Sequence, residues 1–224
     1  MPEFDAERVA AAEANSRKEG GVELERRPTW RQAVIFCADA SYSMTEGHEV
    51  GTKAIAASQA IHTTLTTLSE SRVRANFHYA YVTFHDSATV RTPVASAASF
   101  NSGVTNASGF DPTTGGTGGT RIHAGLDQAG TIAREFVSDT SSGMPGSAVV
   151  LLLSDGECSE ADATVAAASR LKEAGVTVAA VLFSKDTSGE ATLQACSTGP
   201  EFYLRTFDPD MVRTFFIASI KASR

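Results

Sequence analysis

At 224 residues the chain is long enough to bury a full hydrophobic core, and one large domain is the natural expectation. With 42% hydrophobic and 20% charged residues, its composition is that of an ordinary globular protein, which excludes wholesale disorder. A formal net charge of -7 and an isoelectric point near 5.2 argue against nucleic acid as a partner, because phosphate binding needs a basic surface.

Residues 1–28 stand apart. They carry charge throughout, lack the apolar segment of a secretory signal, and suit either one short helix or a disordered arm. AVIFCAD (33–39) is a short continuous apolar run, the mark of a strand covered on both faces. Residues 50–69 then place Ile55, Ile61, Leu65 and Leu68 at roughly helical spacing. Aromatic and β-branched residues over 76–94 predict two strands that turn near His85-Asp86-Ser87. A polar Gly/Ser/Thr-rich loop runs from Asn101 to Gly119, and Thr120 is the expected N-cap of the next helix. The apolar face of that helix is Ile122, Leu126, Ala129, Ala133 and Phe136, spaced by 4, 3, 4 and 3.

After a loop at 138–147, SAVVLLLSDG (147–156) predicts a second buried strand, and 161–175 predicts a helix closed by glycine. VTVAAVLF (176–183) reads as a third buried strand, EFYLRTF (201–207) as an edge strand, and 209–222 as a helix with proline in its first turn. Apolar strands alternating with amphipathic helices imply one α/β domain over 29–224. Its expected form is doubly wound: a mostly parallel central sheet of about six strands with helices on both faces.

Cys37, Cys158 and Cys196 are odd in number, far apart and without zinc-site spacing, which favours a reducing compartment. No stretch reaches the roughly 20 apolar residues of a membrane span, so a cytoplasmic location is expected. Neither nucleic acid nor membrane is therefore expected as a partner; the oligomeric state is left open.

In such sheets ligands bind at the carboxyl ends of the strands. After the first apolar run comes Asp39-Ala40-Ser41-Tyr42-Ser43, after the second Ser154-Asp155-Gly156, and Thr120 follows a glycine-rich approach. Two carboxylates and three hydroxyls at one sheet end are the oxygen donors that a hard divalent cation such as Mg²⁺ prefers. In a locally extended loop, alternate residues point to one side, so Asp39, Ser41 and Ser43 can converge on one ion. Serines and aspartates after strands also serve as turn formers and caps, and for Asp39, Ser41 and Ser43 alone that is the better reading. Thr120 and Asp155 together shift the balance to metal.

DASYS, GGT and LLLSDG resemble, in order and approximate spacing, the metal-ion-dependent adhesion site of von Willebrand factor A domains, which have a Rossmann-like fold. The resemblance covers roughly residues 31–224. It implies Ser41, Ser43 and Thr120 as hydroxyl ligands, and Asp39 and Asp155 as carboxylates that anchor the metal, partly through water. It further implies Mg²⁺, with Mn²⁺ or Ca²⁺ as substitutes, and a partner protein whose acidic residue completes the coordination. Tyr42 stands where the family often has glycine and is expected at the rim; Asp111 and Glu157 are expected to be solvated. YAYVTFHDSATVRTPV followed by GGT, with a terminal FFIASIKAS helix, is similar to bacterial intracellular members of the TerY-like, tellurium-resistance-associated group. Those members are associated with stress-response systems alongside kinase and phosphatase components.

The alternative is a Mg²⁺-dependent phosphohydrolase using the same site. Against it, Ser41 stands where a dehalogenase-like enzyme would carry a second aspartate, and GTGGTR breaks the phosphate-loop pattern. G-x-S-x-G and H-E-x-x-H are both absent, and no general acid or base is placed to act on a substrate. A binding module without catalysis is the expectation.

Overall fold

The computed structural model describes residues 29–156 and 158–223; the expected N-terminal arm over 1–28 and Glu157 lie outside the described residues. Strand β1 (Arg31–Asp39) is buried along its whole length, as an uninterrupted apolar run requires. Its even residues Val34, Phe36 and Ala38 enter one hydrophobic core, and its odd residues Ala33, Ile35 and Cys37 enter another on the opposite face. Strand β2 (Phe77–Phe84) pairs with β1 in parallel. Strand β3 (Ala88–Ser96) turns back antiparallel to β2 after a bend at 85–87. Strands β4 (Gly146–Ser154), β5 (Thr177–Phe183) and β6 (Tyr203–Thr206) extend the other side in parallel. The sheet order is β3-β2-β1-β4-β5-β6. This is the expected doubly wound, mostly parallel sheet of six strands, with an antiparallel edge.

Helices α1 (Lys53–Ser69) and α5 (Pro209–Ala222) cover one face, where Ile61 and Leu65 of α1 and Val212 and Phe216 of α5 pack in one cluster with Phe36 and Tyr81. Helices α2 (Ile122–Ser138), α3 (Ala161–Glu173) and α4 (Glu190–Cys196) cover the other. The 4-3-4-3 face of α2 is buried as its spacing demands. Gly175, just past α3, takes a left-handed φ of 74°, the conformation that lets glycine close a helix.

Several local expectations are corrected. Thr120 is not the cap of α2: Arg121 occupies that position without a side-chain cap bond. Helix α1 begins at Lys53, behind a two-residue ribbon pairing Gly47–His48 with Gly51–Thr52, and Thr52 caps it by accepting from the Ile55 amide at 3.2 Å. Ile55 itself is exposed rather than turned into the core. Helix α4 has no counterpart in the sequence reading. At seven residues it is too short for periodicity to register, and only Leu193 and Cys196 are buried. Among the described residues, no helix is long and apolar enough to cross a membrane.

Candidate metal centre

After β1 the chain passes to α1 on one face; after β4 it passes to α3 on the other. A crevice therefore opens between the carboxyl ends of these neighbouring strands. Asp39 ends β1 and is fully buried. One oxygen, Oδ1, accepts from the Ser41 amide at 2.7 Å, and the other, Oδ2, accepts from the Ser154 hydroxyl at 2.6 Å. Ser154, the last residue of β4, reaches Asp39 because β1 and β4 run in parallel register with Ala38 opposite Leu153.

The loop after Asp39 coils instead of staying extended, and Ala40 is buried beside Ser41. Ser41 is buried, Tyr42 is 72% exposed, and Met44 drops into the first core, anchoring a short 3-10 turn over Tyr42–Thr45. Ser41 Oγ and Ser43 Oγ lie 3.0 Å apart, and the Ser43 hydroxyl donates to Asp155 Oδ1 at 3.0 Å. Asp39, Ser41, Ser43 and Asp155 thus form one hydrogen-bonded chain across the crevice. Thr120 is not a member of that chain; its loop is tied to the two flanking loops through the backbone. Its carbonyl accepts from the Ser159 amide at 3.2 Å, and the carbonyl of Gly118 accepts from the Tyr42 amide at 3.1 Å. The three predicted loops are therefore tied together, with Thr120 partly exposed between the other two.

The remaining Asp155 oxygen is taken by a residue that the sequence reading missed. The Lys53 ammonium donates to Asp155 Oδ2 at 2.8 Å and to Glu46 Oε2 at 2.7 Å. A signal for it exists: Lys53 sits in the first turn of α1, where the helix dipole disfavours a cation. A residue that breaks such a local rule often marks a site.

Burial pushes the Asp39 carboxyl up to about 7, against the downward pull of its bonds with Ser154 and Ser41, and the Asp155 charge adds to the rise. Burial also opposes the Lys53 charge, but its bonds to Asp155 and Glu46 outweigh that and hold the ammonium above the usual lysine value. A carboxyl short of hydration beside a second carboxylate is an environment that a cation would relieve. Among the described residues, no group of three or more His, Cys, Asp or Glu side chains gathers to hold a metal. A cation here would depend on the serine hydroxyls as well, and such an all-oxygen set fits a hard divalent ion.

Of the two histidines closest in sequence to the site loops, His48 is held elsewhere. His48 packs on Phe183 and Phe207, with Nε2 at 2.8 Å from the Phe207 carbonyl. His123 Nε2 lies 3.9 Å from Glu160. Asp111 closes a local turn by accepting from the Thr113 amide at 2.9 Å and the Thr113 hydroxyl at 2.6 Å.

The chain belongs to the von Willebrand factor type A domain family, whose sequence model matches residues 33–216. A search of curated proteins returns no significant match. Among solved structures, the chain is similar to the pilus adhesin SpaC from Lactobacillus rhamnosus GG in its open conformation. The TM-score is 0.71 at 15% identity, over 88% of this chain and 30% of the adhesin. It is similar to proximal thread matrix protein 1 of the mussel byssus, solved with a zinc-occupied MIDAS motif, with a TM-score of 0.62 at 21% identity. That match covers 87% of this chain and 46% of the matrix protein. It is also similar to BatB from Bacteroides thetaiotaomicron, with a TM-score of 0.64 at 18% identity over 85% of this chain and 98% of BatB. At these identities the likeness speaks for the fold. The chain spans under a third of the adhesin's length.

Proposed function

We propose that the protein is a metal-dependent binding module that captures an acidic side chain of a partner protein. The observation that carries this reading is the hydrogen-bonded chain from Asp39 through Ser41 and Ser43 to Asp155 across the crevice. Ser41, Ser43 and Thr120 would supply hydroxyl oxygens, while Asp39 and Asp155 would supply charge. Asp39, with both oxygens already accepting hydrogen bonds, suits an anchoring role in which it orients its neighbours. Mg²⁺, or Mn²⁺ or Ca²⁺ in its place, would offer a Lewis-acidic position to an outside carboxylate. Tyr42, exposed beside that position, would contact the partner. The TerY-like assignment and a cytoplasmic stress-response setting rest on the sequence pattern alone.

The phosphohydrolase reading loses ground on Asp39. An aspartyl nucleophile needs an oxygen free to attack, whereas Asp39 is fully buried with both oxygens bonded. The test is isothermal titration of EDTA-stripped protein with MgCl₂ and MnCl₂, beside Asp39→Asn and Ser43→Ala. One saturable site in the wild type, lost in Asp39→Asn, is expected, together with partner capture that EDTA reverses. No saturable binding at millimolar metal would sink the proposal.

A further inference from the structure

We infer that Lys53 is a resident cation of this site: its ammonium occupies Asp155 and must yield that carboxylate to a divalent ion, retaining Glu46 as its partner. The inference rests on the metal-binding reading above and goes beyond it by naming what the metal competes with.

The geometry is specific. Lys53 Nζ lies 2.8 Å from Asp155 Oδ2 and 2.7 Å from Glu46 Oε2, bridging an inner and an outer carboxylate. The side chains of Lys53 and Asp155 are 12% and 5% exposed, whereas that of Glu46 is 60% exposed. The inner contact is shielded from water, where charge interactions are strong; the outer one is solvated and adaptable. The same Asp155 receives the Ser43 hydroxyl on Oδ1, so Lys53 sits on the second oxygen of a carboxylate that belongs to the candidate ligand set. An ammonium and a divalent ion on one carboxylate repel each other, so the affinity of the site must include the cost of moving Lys53.

Glu46 is placed to accept that movement. Its amide donates to the Ser43 carbonyl at 3.1 Å, and its own carbonyl accepts from the Lys53 amide at 3.1 Å. Glu46 therefore links the serine loop to the start of α1 through the backbone, and to the lysine head through the side chain. The first turn of α1 contains no acidic residue to hold a cation there, and the helix dipole works against one. Lys53 is kept at this position by the two carboxylates it bridges.

A simple field effect predicts that Lys53→Met tightens metal binding and Glu46→Gln weakens it, with the two changes adding. Displacement onto Glu46 predicts instead that the Glu46 effect depends on Lys53. The experiment is MnCl₂ titration by calorimetry of wild type, Lys53→Met, Glu46→Gln and the double variant, with folding checked by circular dichroism. Lys53→Met should bind Mn²⁺ about tenfold more tightly, or more, each tenfold corresponding to about 1.4 kcal/mol. Glu46→Gln should bind more weakly than wild type, yet the same change made on top of Lys53→Met should alter affinity by less than about twofold. Lys53→Arg, which keeps the charge, should stay near wild type.

Wild-type binding with Lys53→Met equal or weaker would overturn the inference and leave the metal reading standing. An equal Glu46→Gln effect in both backgrounds would overturn the transfer to Glu46. If neither wild type nor Lys53→Met binds Mn²⁺, the metal reading has failed and this inference fails with it. Should Lys53→Met not fold, Lys53→Gln, which keeps a neutral donor toward Asp155, carries the same test.

Discussion

Ser154 shows how much a single hydroxyl decides here. It donates to the buried Asp39 carboxylate at 2.6 Å and accepts from the Gly156 amide at 3.3 Å, so it joins the end of β1 to the loop after β4. Ser154→Ala should cost about 1–3 kcal/mol in urea unfolding, the usual range for leaving a buried acceptor without its donor. It should weaken metal binding in parallel, because Asp39 would be free to turn. A variant unchanged in both respects would show that Ser154 does not position Asp39. His78 offers a separate reading at the same scale. Burial lowers its affinity for a proton, and Arg31 beside it lowers it further, so the folded state prefers the neutral ring. The unfolded chain then binds more protons at this ring as pH falls past about 6.5, so the His78 contribution to stability declines through that window and not above it. It runs against the opposite contribution of Asp39, whose raised affinity for a proton favours the folded state there. In thermal melts, the stability of His78→Gln relative to wild type should rise as pH falls from 7 to 5; a difference that stays constant with pH would exclude the His78 contribution.

Among the elements, α2 lies close against the sheet at Gly125. A Cβ added at Gly125 would lie 2.5 Å from Phe84 Cδ1 and 2.9 Å from Cys37 Sγ. Gly125→Ala should therefore destabilise by about 1–3 kcal/mol despite alanine's better helix propensity, and a stabilised variant would contradict this packing. The glycine was not singled out in the sequence, because close approach is a property of two elements rather than of one. Strands β1, β4 and β5 were legible for the opposite reason. Burial on both faces leaves a continuous apolar run that needs no partner to be recognised. The candidate site divides in the same way. Asp39, Ser41, Ser43 and Asp155 stood out because they follow such runs, and the structure joins all four. Lys53 and Glu46 come together only through the fold of a two-residue ribbon that leaves no period in the sequence.

For the whole molecule, binding and stability are linked. An ion that binds the folded chain alone stabilises it by roughly 2.7 kcal/mol at a hundredfold excess over Kd. For a domain of this size that is a rise in melting temperature of about 5–10 °C. MnCl₂ should produce such a rise in wild type, EDTA should reverse it, and Asp39→Asn should show none. A shift of equal size in Asp39→Asn would place the ion elsewhere on this acidic protein.

At the end of β1 remote from the site, the Gln32 amide donates to the Ile220 carbonyl at 3.1 Å and to the Ser223 hydroxyl at 2.9 Å. The path into the domain and the path out of it are thereby fastened side by side. From Gln32 to Asp39 the strand rises roughly 23 Å, so this fastening lies at the pole opposite the crevice. A domain whose first strand and last helix are fastened together in this way can be spliced into a surface loop of an unrelated scaffold, with its crevice facing outward and no re-engineering of its interior.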